Sequence, residues 1–279
     1  MTSTPEYMTW LGRVEEQVDL ITVDKVRALR ATLDYADLEA HEGEPLPPAW
    51  HWIFCNAVAP AANLGRDGHP AKGGFLPPVP LPRRMWAGSR LEFLAPLKVG
   101  DRITRRSEIV SIKPKEGSSG PLVFVTVRHQ IRGATGGEVI DEQDLVYRED
   151  PKPGAPAAKA EPAGAAEISH RLTPDATMLF RYSALTFNGH RIHYDRDYAT
   201  QVEGYAGLVI HGPVLATLMI ELVRRERPNE TIRGFRFAGK RPATVPMTLD
   251  VGARRAGDGY DTWVAVDGGV SSAGHVVIA

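Results

Sequence analysis

Residues Tyr182 to Leu218 read YSALTFNGHRIHYDRDYATQVEGYAGLVIHGPVLATL. Three histidines, an asparagine, two aspartates and several glycines precede an apolar helix. Thr186 to Asp195 is a polar turn, since Asn188 and Gly189 both tolerate positive φ. His190, His193 and Asp195 follow within six residues. A short amphipathic piece with Tyr198, Ala199 and Val202 leads to Gly204 and Gly207, and the apolar run Leu208 to Ile210 ends at His211-Gly212-Pro213. A helix starts there. Proline suits the first helical position, and Val214, Leu215, Leu218, Met219 and Leu222 recur at helical spacing.

Working outward, the chain reads as two similar halves. Met85-Trp86-Ala87-Gly88-Ser89-Arg90 matches Arg236-Phe237-Ala238-Gly239-Lys240-Arg241, and each precedes a proline and a further strand. Asp150 to Ala166 is a Pro/Ala-rich linker with little to bury. The division is therefore 1–149, linker 150–166, and 167–279. In the first half, Trp10, Leu11, Val14, Val18 and Ile21 suggest a short helix. Asp24 or Thr22 caps a second helix carrying Val26, Leu29 and Leu33. Ala49 to Leu64 is apolar nearly all round, which predicts a buried central helix. Gly65 to Pro82 is a loop. Strands are expected at 83–93, 101–110, 122–131 and 138–147, with turns at 115–120 and 133–137, and again at 235–237, 244–253, 262–266 and 275–278. Gly257-Asp258-Gly259 is a hairpin turn.

The stretch from Thr186 to Gly212 resembles the hydratase motif of the MaoC-like hot-dog hydratases and dehydratases. The variant Thr-Phe-Asn-Gly-His-Arg-Ile-His-Tyr-Asp is similar to the two-repeat branch that includes mesaconyl-C4-CoA (3-methylfumaryl-CoA) hydratase and hydroxyacyl-thioester dehydratase type 2. The resemblance implies an α+β double hot-dog, two tandem repeats each with a curved antiparallel sheet around a central helix. It puts His193 on the catalytic histidine, Asp195 two residues after it, and Gly212 on the residue whose N–H binds the thioester carbonyl oxygen. Asn188 stands where the family has its catalytic aspartate. The first half has no counterpart of Asn188 or His193. A hot-dog sheet leaves an edge that pairs with another, which accounts for tethered copies and for an expected homo-oligomer, a dimer.

The implied reaction is reversible hydration of an enoyl-CoA to a 3-hydroxyacyl-CoA. It needs a base for water, a proton source at the α carbon and a donor to the thioester oxygen. A neutral imidazole suits the first task, so His193 is the general base. The Gly212 N–H at a helix start suits the last. Asn188 can orient water but not take its proton. Ser183 and Thr186 are candidates to hold the histidine or substrate, and His211 to fix its turn. Asp195 either assists or caps a short helix. His190, His193 and Asp195 also have metal-ligand spacing, but the resemblance is to a metal-free family, and neither metal nor resident cofactor is expected. Coenzyme A phosphates call for cations: Arg83, Arg84 and Arg90 in one half, Arg236, Lys240 and Arg241 in the other. Arg181 and Arg191 flank the motif and are candidates to read a second carboxylate, as on mesaconyl- or itaconyl-CoA. The other readings are a 3-hydroxyacyl-ACP or -CoA dehydratase of fatty-acid synthesis and a non-catalytic acyl-thioester-binding module.

Composition narrows the alternatives. A net charge of −1 gives no global basic field for nucleic acid. The lone Cys55 excludes an internal disulfide and reads as a buried thiol. No apolar run approaches the roughly 18 residues of a spanning helix. The first residues show no basic-then-apolar signal, so a cytoplasmic protein is the expectation.

Overall fold

The computed structural model describes residues 5–117, 120–150 and 160–279. Most of the expected linker (150–166) and the tip of the turn at 115–120 lie outside them. Ten antiparallel strands form one sheet. In chain order they are β1 (Val14–Leu20), β2 (Arg83–Ala95), β3 (Arg102–Gly117), β4 (Gly120–Gly133), β5 (Glu138–Arg148), β6 (Ile168–Leu172), β7 (Ile232–Gly239), β8 (Leu249–Ala256), β9 (Gly259–Val266) and β10 (Gly269–Ile278). Their order across the sheet is β1-β3-β4-β5-β2-β7-β10-β9-β8-β6. Read outward from the centre, the two halves repeat each other. The seam is β2 against β7, with Gly88 opposite Ala238 and Leu91 opposite Phe235. The two strands whose sequences match thus pair with each other.

Three α-helices lie among the strands: α1 (Val23–Thr32), α2 (Ala176–Leu185) and α3 (Gly212–Glu226). Thr22 caps α1 by accepting the Lys25 N–H. The expected helix from Gly212-Pro213 is α3, and it packs across β6 to β10. Its apolar residues, with Phe235, Leu249 and Val264, form the main core. No helix of the described residues is long and apolar enough to cross a membrane.

Two expectations fail. The first helix expected near Val14 is instead β1, after a 3-10 turn at Glu6–Trp10. Val14 and Val18 lie four apart, a spacing shared by one turn of helix and two strand periods. Pairing with β3 selects the strand. The second failure is Ala49 to Leu64. These residues form only short 3-10 turns at Trp50–Ile53 and Ala61–Asn63. Ala49 and Cys55, at φ 70° and 53°, leave the helical region on either side of the first turn. Trp50 and Trp52 donate to different buried carboxylates, Glu221 and Asp141. The segment is buried only at its start, and Val58, Ala61 and Leu64 are exposed, so an all-round apolar helix has no core to fill there. The first half therefore has no counterpart of α3, and Glu221 of α3 is held by Trp50, Tyr35, Arg224 and Arg225.

Candidate active site

Asp175 opens α2 by accepting the Met178 N–H. The chain then turns sharply through Phe187, at φ 49°. Asn188 donates its N–H to the Ser183 carbonyl at 2.8 Å, and its Oδ1 accepts the His190 N–H at 3.0 Å. The side-chain oxygen is thus committed to an Asx turn, leaving the amide NH2 as the group with hydrogen-bonding capacity to spare. Thr186 closes α2, donating to the Tyr182 carbonyl at 2.7 Å.

His193 follows in a 3-10 turn and is buried. Its Nδ1 lies 2.7 Å from the Val209 carbonyl oxygen. A carbonyl only accepts, so Nδ1 carries the proton and Nε2 keeps its lone pair. Burial pushes the ring's pKa down to about 4. The result is a neutral, oriented base. His211 stacks on it, with ring centres 3.6 Å apart, and bonds through Nε2 to Ser183 Oγ at 2.9 Å. Burial holds His211 well below its ordinary range. Ser183 therefore holds His211, not His193.

Gly212 begins α3, so its N–H has no partner within the helix. A side chain there would be blocked, since a Cβ would lie 2.7 Å from Trp86 Cε3. Trp86 belongs to β2, in the other half. It stacks on Phe237 of β7 at 4.7 Å.

The site also draws on the 65–82 loop, which was not singled out from the sequence. Arg191 N–H donates to the Asp67 carbonyl at 2.8 Å, and its Nη1 to the Arg66 carbonyl at 3.2 Å. Gly68 and Gly189 meet backbone to backbone, and a Cβ on Gly68 would run into the Gly189 carbonyl. This brings the His69 ring to 4.1 Å from His190, whose edge meets His193 at 5.3 Å. Asp67 Oδ2 lies 3.0 Å from His69 Nδ1, and its Oδ1 accepts the His69 backbone N–H at 3.1 Å. Burial opposes the Asp67 charge, yet these bonds hold its carboxyl below the usual range. Burial pushes His69 down, and His190 to about 2. Asp67, His69 and His190 offer ligand atoms within 4.8 Å of one another. Asp195 stands apart from that cluster: it pairs with Arg191 at 2.7 Å and accepts the Tyr198 N–H, the capping role.

The cations divide by the face of the sheet. A bulge between Trp86 and Gly88 resets the alternation of β2. Arg84 lies opposite Tyr147, which is buried with Val79 and Leu81 of the 65–82 loop, and its charge disfavours protonation of His69 and His190. It has no carboxylate partner among the described residues. Arg90 and Arg236 face the other way, lining a cleft of about 330 Å³ on the outer face with Arg128 and Arg233. Arg90 is bound to Glu142 and Asp144. Arg83 is buried against Glu203 at 2.8 Å. Lys240 pairs with Glu161, and Arg241 donates to the carbonyls of Val266, Gly269 and Val270. Arg191 is held by Asp195 and the face of Tyr198. Arg181 is exposed on α2. Of the candidates for phosphate or carboxylate, Arg90, Lys240, Arg241 and Arg191 thus have partners within the chain, and Arg236 lines the outer-face cleft. Arg84 is the one the fold brings to the histidines.

Two halves of mirrored strand order, with a buried histidine stacked on the residue that precedes a central helix, define a double hot-dog. Solved structures agree. A MaoC-like dehydratase from Phytophthora capsici superposes with a TM-score of 0.69 at 14% identity, covering 96% of each chain. A Mycobacterium tuberculosis protein described as having a double hotdog fold gives 0.60 at 15% identity, covering 100% of this chain and 99% of its own. The family model for hydroxyacyl-thioester dehydratase type 2 matches residues 49–245, and the chain belongs to that family. It is 44% identical over 263 residues to the mesaconyl-C(4)-CoA hydratase of Chloroflexus aurantiacus, covering 93% of this chain and 92% of that one.

Proposed function

We propose that the protein adds water reversibly across the double bond of an enoyl-CoA thioester, giving a 3-hydroxyacyl-CoA. It is a hydro-lyase of the MaoC type, and its leading substrate is mesaconyl-C4-CoA or itaconyl-CoA, with a branched C5 dicarboxylic acyl group. The observation that carries the reading is His193, a buried neutral imidazole with Nδ1 tied to Val209 and its other nitrogen free to take a proton. His193 takes the proton from water and returns it in the opposite direction. The Gly212 N–H, with the α3 dipole behind it, stabilises the thioester oxygen as enolate character develops. The Asn188 amide orients the water. Ser183 and His211 keep the His193 ring in place by stacking and hydrogen bonding.

The dicarboxylic preference rests on Arg84 and on the likeness to a mesaconyl-C(4)-CoA hydratase. A guanidinium without a carboxylate partner, close to the histidines, suits a second substrate carboxylate. Residues 1–149 and 167–279 act as two hot-dog repeats joined by the 150–166 linker, with the hydratase motif in the second. Coenzyme A comes and goes with the substrate, and no resident cofactor or metal takes part. The protein works in the cytoplasm as a homodimer.

The test is turnover of mesaconyl-C4-CoA, itaconyl-CoA and crotonyl-CoA, followed by loss of enoyl-thioester absorbance, with His193→Ala as control. Activity on a dicarboxylic substrate that the control lacks is the expected result. Replacing Arg84 with Met should then cost far more on the dicarboxylic substrate than on crotonyl-CoA. Turnover of crotonyl-CoA alone would shift the assignment to a fatty-acyl dehydratase. Tight thioester binding without turnover would make the protein a binding module.

A further inference from the structure

The site lacks a carboxylate where it needs one. Position 188 is asparagine, whose oxygen is committed to a turn. The Val209 carbonyl is the only hydrogen-bond partner of the His193 ring among the described residues. A proton taken from water would leave a buried imidazolium with no anion against it, an unfavourable charge to create. Two rings away the other half of the chain holds an anion. Asp67 is hydrogen-bonded to Nδ1 of His69, His69 packs on His190, and His190 meets His193 edge to face.

We propose that Asp67, held in place by His69, is the counter-charge of the hydratase site, standing in for the missing carboxylate and steadying protonated His193 across His69 and His190. The inference rests on the hydratase reading. In hydration, the water oxygen bonds to the β carbon and a water proton passes to His193 Nε2. The double-bond electron pair moves toward the thioester oxygen as an enolate. The proton stays on His193, whose Nδ1 is held by the Val209 carbonyl, and the negative charge of Asp67 offsets the imidazolium across the two packed rings between them. The proton then returns to the α carbon as the enolate collapses, so nothing is gained or lost beyond one water. The arrangement follows the logic of a carboxylate that steadies an imidazolium without itself being protonated. His69 acts through another ring and is a positioning residue.

Asp67→Asn and His69→Ala are compared with wild type on the best substrate, reading kcat, KM and thermal midpoint. Gly68→Ala serves as the comparator for loss of the loop's docking, since its Cβ collides with Gly189. The expected result is a kcat lower by about 100-fold in Asp67→Asn, with KM within about threefold and the midpoint unchanged. Added imidazole, which can supply the N–H that Asp67 accepts, should restore His69→Ala, and Asp67→Glu, which keeps the charge, should retain more kcat than Asp67→Asn. Wild-type kcat in Asp67→Asn would overturn the proposal. So would an Asp67→Glu no better than Asp67→Asn, or losses that track those of Gly68→Ala in KM and midpoint. If His69→Ala does not fold or imidazole does not rescue it, the kcat of Asp67→Asn decides. Absence of turnover by the wild-type protein on every enoyl-CoA would sink the hydratase reading, and this proposal with it. Wild-type turnover lost in His193→Ala but kept in Asp67→Asn would sink this proposal alone.

Discussion

Gly212→Ala tests whether the start of α3 is built around a particular contact between the halves. The added Cβ would lie 2.7 Å from Trp86 Cε3 and 3.2 Å from Cζ3. Comfortable carbon contacts are about 3.5–4.0 Å, so either the indole or the helix start must move by about 1 Å. The indole has little room, since it stacks on Phe237 at 4.7 Å and meets Trp52 at 5.5 Å. Overpacking of this kind costs about 1–3 kcal/mol. The displaced N–H would no longer meet the thioester oxygen, and loss of one such donor lowers kcat by about 100-fold or more. The assay is a double-mutant cycle with Trp86→Ala, followed by urea unfolding and by kcat. The alanine at 212 should destabilise the wild-type background and do so less once Trp86 is truncated, a coupling of about 1–2 kcal/mol. Equal destabilisation in both backgrounds would refute the steric argument. A stable Gly212→Ala with full kcat would refute the role of the N–H as well.

Acid should weaken the protein before it protonates the native site. His129 and His193 are buried with pKa values near 4, against about 6.5 in an unfolded chain. The unfolded state therefore binds protons that the native state refuses, and stability present above pH 6.5 is lost as pH falls toward 4, by about 1.4 kcal/mol per unit per histidine; urea midpoints measured from pH 8 to 4.5 should be flat above 7 and fall below 6.5. Over the range where the protein stays folded, kcat/KM should stay flat until pH approaches 4, where His193 gains its proton; an acidic limb near 6.5 would mean that the base is a solvated histidine. Glu221→Gln should destabilise by about 3 kcal/mol or more, because Arg224, Tyr35 and Trp50 all converge on that buried carboxylate, and denaturant unfolding would reveal it. Asn188→Asp keeps the acceptor for the His190 N–H, so it should fold normally, whereas Asn188→Ala should lose about 1 kcal/mol of turn stability in the same measurement.

Much of this fold was legible locally. Parts of β7 to β10, the proline-started helix and the duplicated Ala-Gly strands carried their own patterns, and Thr22 capped α1 as its chemistry suggests, whereas β6 and α2 were not read and the strand expected from Thr244 begins only at Leu249. Ala49 to Leu64 misled because apolar composition alone does not fix the backbone: Ala49 and Cys55 take positive φ, and the residues from Ala57 onward are largely exposed. At the site, the motif residues could be read because they are close in sequence. Asp67 and His69 could not, because their loop looks like any Gly/Pro-rich connection until Gly68 meets Gly189. The signal available was the Asp-Gly-His triplet itself, a hydrogen-bonded turn that presents an imidazole. The placement of the arginines was hidden for a related reason. Which face β2 shows before and after Trp86 depends on one bulge, and nothing in the spacing of Arg84 and Arg90 announces it.

The β2–β7 seam also settles how the site responds to dilution. Were the halves separate chains, the neighbourhood of His69 and His193 would exist only while two molecules stayed associated, and it would fade as the protein became scarce. Here the meeting is intramolecular, at an effective concentration of the order of millimolar or above. A single molecule carries the whole site however few its companions, and its specific activity should not depend on enzyme concentration.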